Sequence, residues 1–485
     1  MKSRIFPIVF GLASLLVAGC MVGPKYVKPS TPIAPEFKEQ PPESFKSDSG
    51  WKQAAPSDRV IRGNWWEIFG DPQLNTLEEQ VISANQNLKI AEARLRQARS
   101  MIRYNRASLA PTISAAPSVV NERLSAHQPY LPASSANNGT GDFNLPFDLG
   151  YEVDLWGRVR RTINASREEA QATAADLQTA SLSLHAELAL DYFELRSADA
   201  QKQLLDDTVK AYSDALVLTR NRFEGGAAPK SDVAQAQTQL ETAQVQDTDI
   251  TVTRAQFEHA IATLMGQPPA QFSLPAAPQA KLQLPAIPVG VPSTLLERRP
   301  DIAAGERRLA EANEQIGIAQ AAFYPTLVIG ATGGFQGTTV TNWLNWPSRM
   351  WAVGPQVSET LFDAGRRRAT SDAARANYDG TVAAYRQTAL TAFQEVEDNL
   401  AALRILENEA GQQHRATASA QESLQLFTNR YVGGVDNYLQ VITAQTIYLA
   451  NERNDIDIER RRVDASVLLV KAVGGGWDVS QLPKL

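Results

Sequence analysis

The 67 residues from Arg158 to Glu224 contain neither glycine nor proline. As one α-helix, rising 1.5 Å per residue, such a run is about 100 Å long, several times the width of an ordinary domain. Leu177, Leu184, Leu188 and Leu195 recur along it at helical intervals among strong helix formers, which argues against a disordered polar stretch. A helix of this length holds together in water only if other helices cover its apolar stripe. The chain is therefore expected to build a coiled-coil rod or a barrel of helices. An aromatic share of 7% fits that expectation, being thin for one large globular core.

The sequence also repeats itself. Asn105-Arg106-Ala107-Ser108-Leu109-Ala110-Pro111-Thr112-Ile113 aligns with Ala319-Gln320-Ala321-Ala322-Phe323-Tyr324-Pro325-Thr326-Leu327 at a shift of 214, and Glu92, Arg94, Leu95 and Ala98 match Glu306, Arg308, Leu309 and Ala312. Further on the shift is 208: Gly157-Arg158 matches Gly365-Arg366, and Asn221-Arg222-Phe223-Glu224-Gly225-Gly226 matches Asn429-Arg430-Tyr431-Val432-Gly433-Gly434. An offset held over such distances implies two copies of one structural unit. The first copy spans 73–265 and the second 295–473, each predicted as helix, strand pair, very long helix, glycine turn and return helix. In the first copy the opening helix is expected to run from Gln73 to Ala110 without interruption. In the second, Gly380 and Gly411 fall inside the long helix, each costing about 1 kcal/mol against alanine, and mark places where it can bend. A Pro-rich linker over 266–294 separates the copies, and 474–485 forms the C-terminal segment.

Between these helices the period changes to two. In the stretch 142–155 every odd residue is apolar (Phe143 through Leu155), whereas Asp142, Asn144, Asp148, Glu152 and Asp154 occupy even positions. That is the pattern of a two-faced strand. Weaker alternation follows Pro111 and Pro325 and precedes Gly365, giving four strands per chain. Phe143, Phe147, Tyr151, Trp343, Trp346 and Trp351 are candidates for interfacial aromatic girdles. A soluble sandwich would need a second sheet to cover the apolar side, and rods of helix supply none. Lipid would cover it, but four strands cannot close, and open edges are not tolerated in a bilayer. The chain must then oligomerise. A dimer gives eight strands filled by side chains, and a trimer gives twelve with room for a passage. The trimer is the expectation.

Residues 1–19 carry Lys2 and Arg4 ahead of a short apolar run, as a signal peptide does. Val17-Ala18-Gly19-Cys20 looks like a bacterial lipobox, whose cysteine is lipidated. The alternative is an ordinary secretory signal with an accidental cysteine, but Cys20 is the only cysteine in the chain. Met21 in place of an aspartate implies the outer membrane, with 20–72 as a lipidated N-terminal segment. One cysteine and four scattered histidines give little material for metal or histidine chemistry, and neither a metal nor a cofactor is expected. A net charge of −6 offers no basic excess for nucleic acid. No carboxylate pair or nucleophile–base set stands out, and Gly474-Gly475-Gly476 lacks the lysine of a phosphate loop and reads as a helix end. An enzyme is not expected.

Taken together, the chain resembles the TolC/OprM-type outer-membrane efflux factors, in their lipoprotein branch. The resemblance rests on the lipobox, on Trp65-Trp66-Glu67-Ile68-Phe69-Gly70-Asp71-Pro72-Gln73-Leu74, on Tyr151-Glu152-Val153-Asp154-Leu155-Trp156-Gly157-Arg158, and on Leu296-Glu297-Arg298-Arg299-Pro300-Asp301-Ile302. It continues through Ala321-Ala322-Phe323-Tyr324-Pro325, Ala392-Phe393-Gln394-Glu395-Val396 and Arg430-Tyr431-Val432-Gly433-Gly434-Val435-Asp436-Asn437-Tyr438-Leu439. It implies a mainly α fold with membrane β: a homotrimeric twelve-stranded β-barrel continued by a twelve-helix α-barrel tunnel, with a mixed equatorial belt. It implies the exit duct of a tripartite efflux pump, served by a periplasmic adaptor and an inner-membrane pump of RND type, and gated at the periplasmic helix tips. A lipid-anchored periplasmic scaffold that conducts nothing is the rival, and it leaves the strand alternation unexplained.

The resemblance also assigns residues. Gly225, Gly226, Gly433 and Gly434 are the tip turns met by the adaptor. Ser231, Asp232, Tyr431 and Leu439 belong to the gate, with a Tyr431 hydroxyl to Asp232 carboxylate bond as a latch. Asp436 stands where better-known relatives carry arginine. Three copies of it are the candidate aperture ring, although it would equally serve as the cap of the following helix. Asp142, Asp148, Glu152 and Asp154 would line the lumen and favour cations, unless Arg158, Arg160 or Arg161 neutralise them.

Overall fold

The structure, a computed structural model, describes residues 21–42, 63–123, 125, 127, 139–278, 284, 285, 287 and 292–485. Residues 1–20, where a signal peptide and a lipidated Cys20 are expected, and most of the loop after β2 lie outside the described residues. In chain order the elements are α1 (Pro72–Ala84), α2 (Gln86–Ala107), β1 (Thr112–Ala115), β2 (Ser118–Glu122), β3 (Thr140–Val153), α3 (Arg158–Glu224) and α4 (Lys230–Leu264). The second half holds α5 (Pro292–Arg298), α6 (Pro300–Ala321), β4 (Thr326–Gly337), β5 (Arg349–Ser358), α7 (Arg366–Val432) and α8 (Tyr438–Ala472).

The duplication is reproduced almost residue for residue. α2 and α6 both have 22 residues, α3 and α7 both 67, and α4 and α8 both 35. α7 continues through Gly380 and Gly411 without a break. α4 and α8 return along the far halves of α3 and α7, whereas α2 and α6 flank α3 nearer the sheet.

One expectation fails. The opening helix does not run through to Ala110: it breaks at Asn85, whose backbone is extended (φ −62°, ψ 128°). The Asn85 side chain accepts from the N–H groups of Asn87 and Leu88 and donates to Leu264 O at 2.9 Å. It thus caps α2 and satisfies the end of α4 together. Arg299 occupies the equivalent position in the second copy. Pro300 forces it out of the helical region, and its Nη1 donates to Ala472 O at 3.0 Å, the end of α8. Different side chains do the same work.

The largest core lies where a 3₁₀ turn (Trp65–Phe69) and α1 pack against the middle of α3 and the ends of α4 and α8. Trp65, Trp66 and Phe69 are buried, Gly70 takes φ 64°, and Asp71 caps α1 through Gln73 N and Leu74 N. That accounts for the whole Trp65–Leu74 motif. A second core sits at the far ends of the hairpins, joining Tyr212, Leu216 and Leu240 to Tyr431, Tyr438 and Val441. Among the described residues no helix is long and apolar enough to cross a membrane.

Within the main core Glu78 and His185 form a buried pair, Oε2 to Nδ1 at 2.6 Å, with Trp66 stacked on the imidazole. Burial pushes the Glu78 carboxyl up to about 9 and the His185 imidazole down to about 4. The folded pair therefore holds one proton over that whole interval. Unfolded, the pair also holds one between about 4.5 and 6.5, on histidine, but none above. Stability from this pair is flat below about pH 6.5 and is lost as pH rises toward 9. The thermal unfolding midpoint of wild type should therefore fall relative to that of Glu78→Gln as pH rises from 6.5 toward 9. Separately, Gly474 (φ 97°) ends α8 with its backbone against Arg298, and an added Cβ would fall 2.0 Å from Arg298 O. Gly474→Ala should cost about 2 kcal/mol or more, read as a lower unfolding midpoint.

Candidate functional site: a two-faced sheet and paired helix tips

The sheet runs in the order β1/β2–β3–β4–β5, antiparallel throughout, with β1 and β2 as two pieces of one edge strand interrupted at Ala116-Pro117. Its register brings like positions of every strand to one face. Leu149 pairs with Ile113 and Ala331, Ala331 with Val353, and Leu327 with both Val153 and Val357. All are apolar. The opposite face carries Ser114 and Thr332 beside Asp148, and Gln336 beside Asn144. The apolar side is uncovered: Trp351 is 76% exposed, Val357 67% and Val353 66%. Among the described residues both outer strands pair on one side only. Trp343 packs on Phe143, and Arg349 lies over the exposed Trp346 ring.

The four acidic residues of the polar face divide into two kinds. Glu152 is held by Arg158 in a bidentate pair at 2.6 and 2.9 Å. Asp154 accepts from the backbone of Val159 and Arg160 and from the Arg160 guanidinium, capping α3. Arg161, by contrast, binds Glu314. Asp142 and Asp148 accept from the neutral groups of Gln336 and Thr332, so their charge is not cancelled by those bonds. The acidic field expected from four carboxylates reduces to that of two, because the other pair serves the strand-to-helix corner. At the same corner Gly157 takes φ 81° and the Trp156 indole donates to Pro325 O at 2.8 Å.

At the opposite end each long helix closes in one backbone motif. Ala227 N donates to Arg222 O and Gly226 N to Phe223 O; Val435 N donates to Arg430 O and Gly434 N to Tyr431 O. These are paired 6→1 and 5→2 bonds, which require a left-handed residue. Gly226 and Gly434 supply it, at φ 72° and 74°. Gly225 and Gly433 have ordinary negative φ. Val435 and Leu439 are exposed, and Asp232 is buried within 3.5 Å of the Ser231 hydroxyl.

Two expectations about the tips are corrected. The Tyr431 hydroxyl does not reach Asp232; it is buried without a hydrogen-bond partner, because the ring is fixed between the Arg222 guanidinium, 4.7 Å above it, and Tyr438 at 5.1 Å. Asp436 does not cap the following helix. Arg430 grips it through Nε and Nη2 at 2.6 and 3.2 Å and holds its carboxyl below the usual range. The helix that follows starts at Tyr438 with no side-chain cap. Arg222 and Arg430 are functional residues that sequence alone does not single out, although both sit in the repeated Asn-Arg-aromatic-X-Gly-Gly motif.

The comparisons with known proteins agree with this architecture. A family model described as outer membrane efflux protein matches residues 77–267 and 291–475. The chain is 31% identical to the probable efflux pump outer membrane protein SepC of Pseudomonas putida, over 99% of this chain and 98% of that one. Its fold resembles that of the outer-membrane channel OprN (TM-score 0.83, 28% identity, covering 94% of this chain and 100% of the other). It also resembles the MtrE outer membrane channel of Neisseria gonorrhoeae in its open state (TM-score 0.81, 26% identity, 95% and 99%). The chain belongs to the outer membrane efflux protein family, whose members are outer-membrane channel components of efflux pumps and not enzymes.

Proposed function

We propose that this chain is the exit duct of a tripartite efflux pump, in which three copies close their sheets into a twelve-stranded barrel and their helices into a twelve-helix periplasmic tunnel. The observation that carries the reading is a sheet with one uncovered apolar face and two unpaired edges. Lipid covers such a face, and only neighbouring copies satisfy the edges, since each unmet backbone group in hydrocarbon costs several kcal/mol. Three sheets of four strand positions make a barrel wide enough for a water-filled bore. Lipidation at Cys20 would add an anchor in the same membrane. A periplasmic scaffold gives such a sheet no role.

The duct is passive. An inner-membrane pump of RND type supplies the energy, and a periplasmic adaptor meets the tip turns at Gly225, Gly226, Gly433 and Gly434, untwisting helices to widen the aperture. Drugs or other small molecules then pass from periplasm to outside. The gate lies among Ser231, Asp232, Tyr431, Asp436 and Leu439. Three Asp436 carboxylates there form a ring whose charge is balanced by three Arg430 guanidinium groups. A solved relative in an open state, MtrE, supports a gate with two settings.

Outer-membrane fractions should contain a heat-modifiable trimer with a central bore by electron microscopy, and deletion of the gene should raise drug susceptibility. Material that stays monomeric in mild detergent and lipid would overturn the reading. Reversal potentials across a salt gradient should show a weak cation preference that diminishes in Asp142→Asn/Asp148→Asn and persists in Glu152→Gln/Arg158→Gln, which removes a charge and its counter-charge together. A preference for anions would contradict the lumen assignment.

A further inference from the structure

Arg222 and Arg430 are equivalent by repeat, each three residues before its first glycine, yet they point to different partners. Arg430 is captured within its own turn by Asp436. The residue equivalent to Asp436 in the first turn is Ala228, which offers nothing to a guanidinium. Arg222 instead reaches across to the other hairpin. Its Nη1 donates to Val432 O at 2.9 Å, its plane covers the Tyr431 ring, and its Nη2 lies 4.0 Å from where a Cβ on Gly434 would stand. The aromatic residues diverge in step: Tyr431 under the guanidinium is buried, whereas its equivalent Phe223 is exposed.

We propose that Arg222 is a positioning residue of the gate, a cross-tip clamp that binds the end of α7 to the end of α3 and sets how readily the two hairpins separate. The clamp is available because the first turn lacks the acid that occupies its twin. The proposal rests on the reading of the tips as the gate of a duct. Two hairpins that must shift against each other during opening have to break this contact, which combines a charged donor on a backbone carbonyl with a cation–π contact. A helix terminus lacking its own acid thus becomes a cross-brace between the halves of a duplicated chain.

The test uses the full-length trimer in four forms: wild type, Arg222→Ala, Ala228→Asp and Ala228→Asn. Ala228→Asp leaves Arg222 in place but offers it the acid that Asp436 offers Arg430, and Ala228→Asn is the uncharged control. Amide hydrogen exchange over residues 425–440 should accelerate by roughly tenfold in Arg222→Ala and in Ala228→Asp, the loss expected for one cation–π contact plus one charge-assisted bond. It should stay at the wild-type rate in Ala228→Asn. Arg222→Ala/Ala228→Asp should exchange no faster than either single variant, since both remove the same contact. Open-state occupancy in planar bilayers should rise in the same two variants. If Arg222→Ala fails to assemble, Ala228→Asp carries the test. Wild-type exchange rates in Ala228→Asp trimers would overturn the clamp. A wild-type trimer that never conducts would instead count against the duct, leaving the exchange result to decide the clamp.

Discussion

A sheet that is greasy on one side and unfinished at both ends is the constraint on which everything else in this chain depends. Backbone N–H and C=O groups at an edge have no substitute for water inside a hydrocarbon layer, so in the proposed membrane setting β1/β2, with exposed Ile113 and Val119, and β5, with exposed Trp351, Val353 and Val357, would need partners from other copies. The helices answer the opposite requirement. Each reads polar over most of its length and gains its stability from neighbours, in apolar clusters spaced along the rods. An exposed apolar face and polar rods are thus assigned to different parts of one chain by nothing more than hydrophobic period.

Duplication explains how so long a molecule stays in register. Helix ends in the two copies coincide at constant offsets, and the corner between sheet and long helix is built twice around a left-handed glycine, Gly157 and Gly365. Where the copies differ, the difference is informative. Asn85 and Arg299 reach one structural end by separate chemistry, a small amide that caps and a guanidinium that spans. The tips diverge in partner rather than in backbone, because one acid at Asp436 has no counterpart at Ala228.

Much of this was legible beforehand. Helix lengths, the glycine turns and the strand faces follow from period and from the absence of helix breakers, which are local properties. The break at Asn85 was not, since asparagine interrupts a helix only when its side chain finds better partners, and Leu264 O is 179 residues away. The pairing of Glu152 with Arg158 and of Asp154 with Arg160 was foreseeable as an alternative, because these residues are six apart across a tight corner. The Tyr431–Asp232 bond came from resemblance and the capping role of Asp436 from its place before a helix, and both gave way to arginines whose reach no spacing rule encodes. Trp66 and His185 stack inside the main core although nothing in the linear sequence connects them.

Equal spans in the two halves have an evolutionary corollary. α3 and α7 leave the sheet at matching corners and finish side by side at a shared aromatic cluster. Removing a heptad from one alone would withdraw its end by roughly 10 Å and leave the other protruding without contacts. Indels in these rods are therefore tolerable only as matched pairs, one in each half and again in each return helix. Descendants of this chain can lengthen or shorten their reach across the periplasm in coordinated steps, but not by single events.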